Sequence, residues 1–286
     1  MPLVTTASIV DTARRDGHGV AAFNVITLEH AEAIAAGAER AGQPAILQIS
    51  ENAVRYHHHR LEPLAAAVVA VAGMSSAPLS VHLDHVEEER LLYQAADNGF
   101  SSAMFDASKL DYQANVIATR NAAEWAHAQG MWLEAELGEV GGKDGAHAPG
   151  ARTDPDEAVQ FVAATNVDGL AVAVGSSHAM VNRTASLDLS LIQDLAAKLT
   201  VPLVLHGSSG VPDEALAAAV RAGMVKINIG TILNVAFTRA VRERLAGDDS
   251  MVDPRKYFAP ARDAVSDEVA RLLTVLVTAP TTVEST

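Results

Sequence analysis

The chain has 286 residues, no cysteine, 49% hydrophobic and 20% charged residues, and a formal net charge of −14. That balance supports a large buried core and argues against disorder, and acidity without a basic cluster argues against nucleic acid or a membrane surface as partner. The absence of cysteine excludes disulfides, a thiolate nucleophile and cysteine-ligated zinc. With no signal-peptide pattern and no apolar run near about 18 residues, a cytoplasmic protein without a membrane span is expected.

Short β-rich runs alternate with longer alanine-rich runs. Strands are expected at 20–25, 45–50, 79–85, 101–106, 131–137, 168–175, 202–206 and 225–229, with amphipathic helices between them, as at 29–41 and 112–128. Asp111 can cap the 112–128 helix, and Asp154-Pro155 and Pro212-Asp213 put proline at helix starts. Gly42, Gly99, Gly130 and Gly223 suit left-handed stops. A last helix is expected over 260–277. Eight strands alternating with helices imply a parallel sheet, and a chain of this length favours an α/β (β/α)8 barrel, which typically takes about 250 residues. No linker divides the chain, so residues 1–286 read as a single domain with a C-terminal helical extension. The first strand is followed by FNVITLEH, which lacks a dinucleotide fingerprint and weakens an open doubly wound alternative.

Three histidines close apolar strand-like runs: His85 in SVHLDH, His178 in LAVAVGSSH and His206 in PLVLH. In a parallel barrel all three reach the carboxyl-end face, where such folds carry their chemistry. Three neutral imidazoles at one point form a zinc set with an open position. Other polar strand-end residues are Asn24, Ser50, Asp84, Asp106, Glu136 and Asn228. Neighbours on a strand point to opposite faces, but this rule relaxes at a fraying end, so Asp84 and His85 could both reach the site. Asp84 then suits acid/base work beside the metal. His82 is expected to be packed or supporting, and Glu136 is a fourth ligand, an alternative ligand or a base. The run His57-His58-His59 reads as a solvated helix entry. HGSSG at 206–210 and NIGT at 228–231 open helices after the seventh and eighth strands, a usual phosphate location in such barrels.

These residues resemble the class II, zinc-dependent ketose-bisphosphate aldolases, the group of the fructose- and tagatose-1,6-bisphosphate enzymes. The similarity runs nearly end to end: AFN at 22–24, S-E at 50–51, HLDH at 82–85, EAELG at 134–138, GG at 141–142, TDP at 153–155, LAVAVG at 170–175, LHGSSG at 205–210, KIN at 226–228 and DPRKY at 253–257. The resemblance implies a metal-dependent lyase of carbohydrate metabolism and glycolysis that reversibly cleaves a phosphorylated ketose to dihydroxyacetone phosphate and an aldehyde. It implies His85, His178 and His206 as ligands of Zn2+ or another divalent ion, Asp84 as acid/base, and Glu136 near an alternative metal position. Gly207, Ser208, Ser209, Asn228, Ile229, Gly230 and Thr231 match the phosphate-binding segments, with Asn24 and Ser50 in the substrate site. A monovalent cation (Na+ or K+) and a homodimer or homotetramer are implied as well. Arg262 is a candidate for the distal phosphate.

The chain departs from the family pattern twice. His178-Ala179-Met180-Val181 stands where the family reads H-G-x-Y, so Ala179 replaces a glycine whose backbone meets the phosphate. Lys143-Asp144 replaces a Glu-Asp pair in a shorter loop, which leaves Asp144 as the nearest substitute for a proton-transferring glutamate. Alternatives are an aldolase for another sugar phosphate such as a deoxy-keto-gluconate phosphate, a non-catalytic aldolase partner subunit, and a zinc hydrolase. A Schiff-base mechanism has Lys226 as its one serious candidate.

Overall fold

The alternation of apolar and alanine-rich runs resolves into eight parallel strands that pair in chain order, the eighth closing on the first. They are β1 (Val20–Asn24), β2 (Ala45–Ser50), β3 (Leu79–Val86), β4 (Ser102–Phe105), β5 (Trp132–Glu136), β6 (Gly169–Ala171), β7 (Leu203–Leu205) and β8 (Met224–Ile229). The computed structural model describes residues 3–137, 152–177, 180 and 182–277. The expected (β/α)8 barrel is therefore the fold, and the C-terminal helix Pro254–Val277 packs on its outside against helix Leu28–Ala41.

Two layers of apolar side chains hold the barrel, one on each face of the sheet. Outward residues such as Phe23, Leu47, Leu83 and Leu133 are fully buried under the helices. Inward, Val20, Ala22, Ile46, Trp132, Ala171, Val204 and Val225 fill the lower lumen against Ile9, Val10 and Ala13 of helix Thr6–Asp16, which stops the amino end like a plug. At about 25 cal/mol per Å2 of apolar surface, such burial is the main term opposing chain entropy. Above that floor the lumen turns polar. Gln48, His82, Glu134 and Lys226 occupy it, then Asp84, Glu136, His206 and Asn228, all buried.

Helix boundaries follow local chemistry. Asp111 accepts from the Ala114 amide at 2.9 Å, and Asp154 from the Asp156 and Glu157 amides at 2.9 Å. Gly42 closes helix Leu28–Ala41 in the left-handed region. In that helix Gly37 has no side chain for a steric reason. A Cβ there would lie 2.6 Å from Val269 Cγ1 and 2.8 Å from the Ser266 carbonyl of the C-terminal helix.

Three expectations are corrected. The C-terminal helix begins at Pro254, not 260, because Asp253 accepts from the Arg255 amide and proline suits a first turn, while Pro260 forfeits only one bond inside it. β6 ends at Ala171 rather than 175, and the chain turns at Gly175 with φ +119°. Finally, β3 does not fray. It continues to Val86 with a register shift between Leu83 and Val86.

Candidate active site

That shift decides where the chemistry sits. A bulge puts an extra residue into the strand and re-aims its neighbours, and His85 takes up the irregularity with φ +49°. Asp84 keeps the inward direction of Ser80 and His82, while His85 turns toward the same mouth; both line the cavity. Both side chains thus reach the cavity, through a bulge instead of a frayed end.

A cavity of about 620 Å3 opens at the carboxyl ends of the strands. Asp84 and His85 line it, and single ligand atoms of these two and of the fully buried His206 lie within 4.8 Å of one another. The rings of His85 and His206 meet edge to face at 4.7 Å. A second group of the same kind joins His85, Asp106 and Glu136. Each imidazole is oriented by a carboxylate behind it, with His85 Nδ1 2.9 Å from Asp106 Oδ2 and His206 Nε2 2.8 Å from Glu134 Oε1. Those contacts leave His85 Nε2 and His206 Nδ1 as the atoms suited to a metal ion, and Glu136 Oε2 lies 3.4 Å from the latter. The donor set, its burial and its carboxylate backing fit a divalent ion of zinc type.

Charge in the lumen is strongly coupled. Burial alone would lower His206, but hydrogen bonding to Glu134 and Glu136 and the charges of both carry it up to about 9. Burial likewise opposes ionisation of Glu134, yet Lys226 and His206 hold it well below the usual carboxylate range. In the metal-free protein His206 therefore holds a proton that an incoming metal ion must displace.

Across the cavity lie the helix-opening turns. Gly207, Ser208, Ser209, Asn228, Gly230 and Thr231 line it, as do Asn24 and Ser50. Gly207 adopts φ +68°, and a Cβ there would fall 2.5 Å from the Ser177 backbone, so glycine is the residue that fits. Ser208 Oγ donates to the Asn228 carbonyl, and Ser209 Oγ accepts from the Ile232 amide at 3.2 Å. Those bonds hold the turn against the first turn of helix Thr231–Ala246, whose amino-terminal dipole favours an anion. Asn24 Oδ1 accepts from Gln48 at 2.6 Å, and Ser50 caps the helix Glu51–Tyr56.

Other expected residues lie elsewhere. Glu136 is fully buried behind His206 and does not line the cavity. Ile229 turns into the core beneath the helices, which leaves only its backbone for a ligand. Arg262 pairs with Glu32 at 2.6 Å and is not among the residues lining the cavity of its own chain. His178, Ala179 and Asp144 lie outside the described residues. His57 Nε2 donates to the Ile26 carbonyl at 2.7 Å, and the exposed His58 and His59 form the turn that ends helix Glu51–Tyr56. Lys226 Nζ is fully buried, 2.7 Å from both Glu134 Oε2 and Asn228 Oδ1, and does not face the cavity.

Several wall residues are given no role by the sequence reading. Glu51 is buried, takes a bond from Arg55, and accepts from the Glu87 amide at 2.7 Å, which ties the β3 exit to the β2 loop. Lys109 reaches Glu87 at 3.0 Å. Glu51 and Arg55 stand at helical i, i+4 spacing directly after a strand-end serine, a signal that could have marked them.

The chain as a whole is similar to known proteins. The family model described as fructose-bisphosphate aldolase class-II matches residues 4–280. A fructose-bisphosphate aldolase of Staphylococcus aureus (strain Mu50) is 36% identical over 276 residues, covering 94% of this chain and 95% of the relative. One from Geobacillus stearothermophilus is 38% identical over the same coverage. The crystal structure of the YdjI aldolase from Escherichia coli K12 superposes with a TM-score of 0.84 at 29% identity, covering 96% of this chain and 98% of that one.

Proposed function

The chain belongs to the class II fructose-bisphosphate aldolase family of metal-dependent lyases, and from that premise we propose that it cleaves fructose-1,6-bisphosphate or tagatose-1,6-bisphosphate, reversibly, to dihydroxyacetone phosphate and an aldehyde. The observation that carries the reading is the convergence of Asp84, His85 and the buried His206, the first two lining a cavity whose facing wall is the Gly207–Ser209 and Gly230–Thr231 pair of turns. In this reading His85, His206 and His178 hold the ion, with Glu136 at an alternative position. When bound, a divalent ion supplies a Lewis acid that polarises the ketone and stabilises the charge left on the three-carbon fragment.

The chain's own residues do the rest. Asp84 takes the proton of the C4 hydroxyl as the C3–C4 bond breaks and the aldehyde carbonyl forms, and returns it in condensation. Asn228 donates to Asp84 Oδ1 at 3.2 Å and keeps that carboxylate aimed into the cavity. The backbone and hydroxyls of Gly207, Ser208, Ser209, Gly230 and Thr231, with the Ala179 and Ile229 backbones, receive the phosphate. Asn24 and Ser50 line the substrate, and Asp144 supplies proton exchange at the three-carbon fragment. Arg262 meets the distal phosphate only from a neighbouring copy. The same reading includes a monovalent cation, a single domain over residues 1–286, a homodimer or homotetramer, and a cytoplasmic place in glycolysis. Among the described residues no helix is long and apolar enough to cross a membrane.

The test compares cleavage rates for fructose-1,6-bisphosphate, tagatose-1,6-bisphosphate and a deoxy-keto-gluconate phosphate, before and after chelation. Turnover of a bisphosphate should be fastest, vanish with chelator and return with Zn2+. Preference for the deoxy-keto substrate would move the chain to the other sugar-phosphate reading. Borohydride added with substrate should leave activity intact, because Lys226 is enclosed by Glu134 and Asn228; covalent trapping at Lys226 would overturn the metal mechanism.

A further inference from the structure

An ion pair at the centre of the barrel has no part in the chemistry described so far. Lys226 on β8 and Glu134 on β5 are both fully buried, and their strands are not neighbours, so the 2.7 Å contact crosses the lumen. Burying two charges costs several kcal/mol each in desolvation, and an apolar pair of the same volume is often as stable or more so. Stability alone is therefore a weak reason for this pair. Its remaining contacts suggest a stronger one. The other oxygen of Glu134 accepts from His206 Nε2 at 2.8 Å, and Lys226 Nζ also donates to Asn228 Oδ1 at 2.7 Å.

We propose that the Glu134–Lys226 pair is the positioning element of the active site, setting the orientation of His206 and, through Asn228, of Asp84. This rests on the reading above, in which His206 holds the metal and Asp84 moves the proton.

The logic is one of donors and acceptors. An imidazole that gives its Nε2 proton to a carboxylate must present Nδ1 as its lone pair, and the second contact fixes the ring plane. An ammonium has donors only, so the side of the Asn228 amide facing Lys226 must be its oxygen. The amide cannot flip, and its NH2 is committed to Asp84 Oδ1 at 3.2 Å. Glu134, meanwhile, is kept ionised by Lys226, which its acceptor role toward His206 requires. One buried cation thus reaches both functional groups by two short paths, without touching substrate.

The test uses the double variant Glu134→Gln/Lys226→Met, which removes both charges together, alongside Glu134→Gln alone. With folding confirmed by circular dichroism and thermal denaturation, Zn2+ affinity is measured by competition with a chromophoric chelator. The dissociation constant should rise about 10- to 100-fold, and the Co2+-loaded protein should show altered d–d bands. At saturating Zn2+, kcat should fall while KM holds. A folded variant that keeps wild-type Zn2+ affinity and Co2+ bands would reduce the pair to a structural contact and overturn the proposal. Long-range 1H–15N correlation on wild-type protein loaded with Zn2+ needs no variant: it should show His206 protonated at Nε2 and metal-bound at Nδ1, and the reverse would overturn it equally. A His206→Ala control separates the two levels, since unchanged Zn2+ binding there would remove the ligand assignment itself.

Discussion

His82 gives the barrel a specific sensitivity to acid. It is fully buried in the lumen, its Nδ1 2.8 Å from Ser102 Oγ, and its Nε2 has no hydrogen-bond partner among the described residues. Burial, aided by the charge of Lys226, outweighs Glu134 and Asp84 and pushes the imidazole down to about 3 from 6.5. A histidine depressed in this way is neutral in the folded state while the unfolded chain takes up its proton below about pH 6.5. Stability from this group is complete above that pH and is lost as pH falls toward 3, at about 1.4 kcal/mol per unit. By pH 4.5 the loss is about 2–3 kcal/mol, a large share of a typical stability of about 5–15 kcal/mol. His82→Gln keeps much of the volume and a group for Ser102 but cannot titrate. Urea unfolding of the metal-free protein, followed by circular dichroism, should show the variant losing about 2–3 kcal/mol less than wild type between pH 7.5 and 4.5, whatever its offset at pH 7.5. Chelator throughout keeps metal release out of the comparison. Parallel pH curves for the two proteins would refute the reasoning and place the acid sensitivity elsewhere.

Two further substitutions probe the site. Asp84→Asn should lower kcat by about 10^2 to 10^4 while Zn2+ stoichiometry stays unchanged, since the change removes the base and keeps the side-chain shape; cleavage at the wild-type rate would take Asp84 out of the proton transfer. Gly207→Ala combines φ +68° with a Cβ 2.5 Å from the Ser177 backbone. It should cost about 1–3 kcal/mol in denaturant unfolding and raise KM for the phosphorylated substrate, and an unchanged KM would separate that turn from phosphate binding.

The barrel was legible because strands buried on both faces read as apolar runs and the intervening segments keep helical spacing. Six of the polar positions were legible for a related reason. In otherwise apolar strands, polar residues two apart must share a face, as His82 and Asp84, Glu134 and Glu136, and Lys226 and Asn228 do. A sheet buried under helices leaves only the lumen for such a face. What the spacing does not reveal is which of these side chains meet. Lys226 and Glu134 are 92 positions apart and Asp84 and Asn228 are 144 apart, and their contacts depend on how far each strand is staggered when the barrel closes. The β3 bulge at His85 escaped for a similar reason, because nothing in HLDH distinguishes a regular strand end from one with a left-handed residue. The ion pair of Arg262 with Glu32, 230 positions away on a neighbouring helix, was likewise invisible to spacing. Strand periodicity thus identifies which residues enter the lumen, and closure decides their partners. For that reason the orienting role of Glu134 and Lys226 emerges only once β5, β7 and β8 are seen to face one another across the same interior.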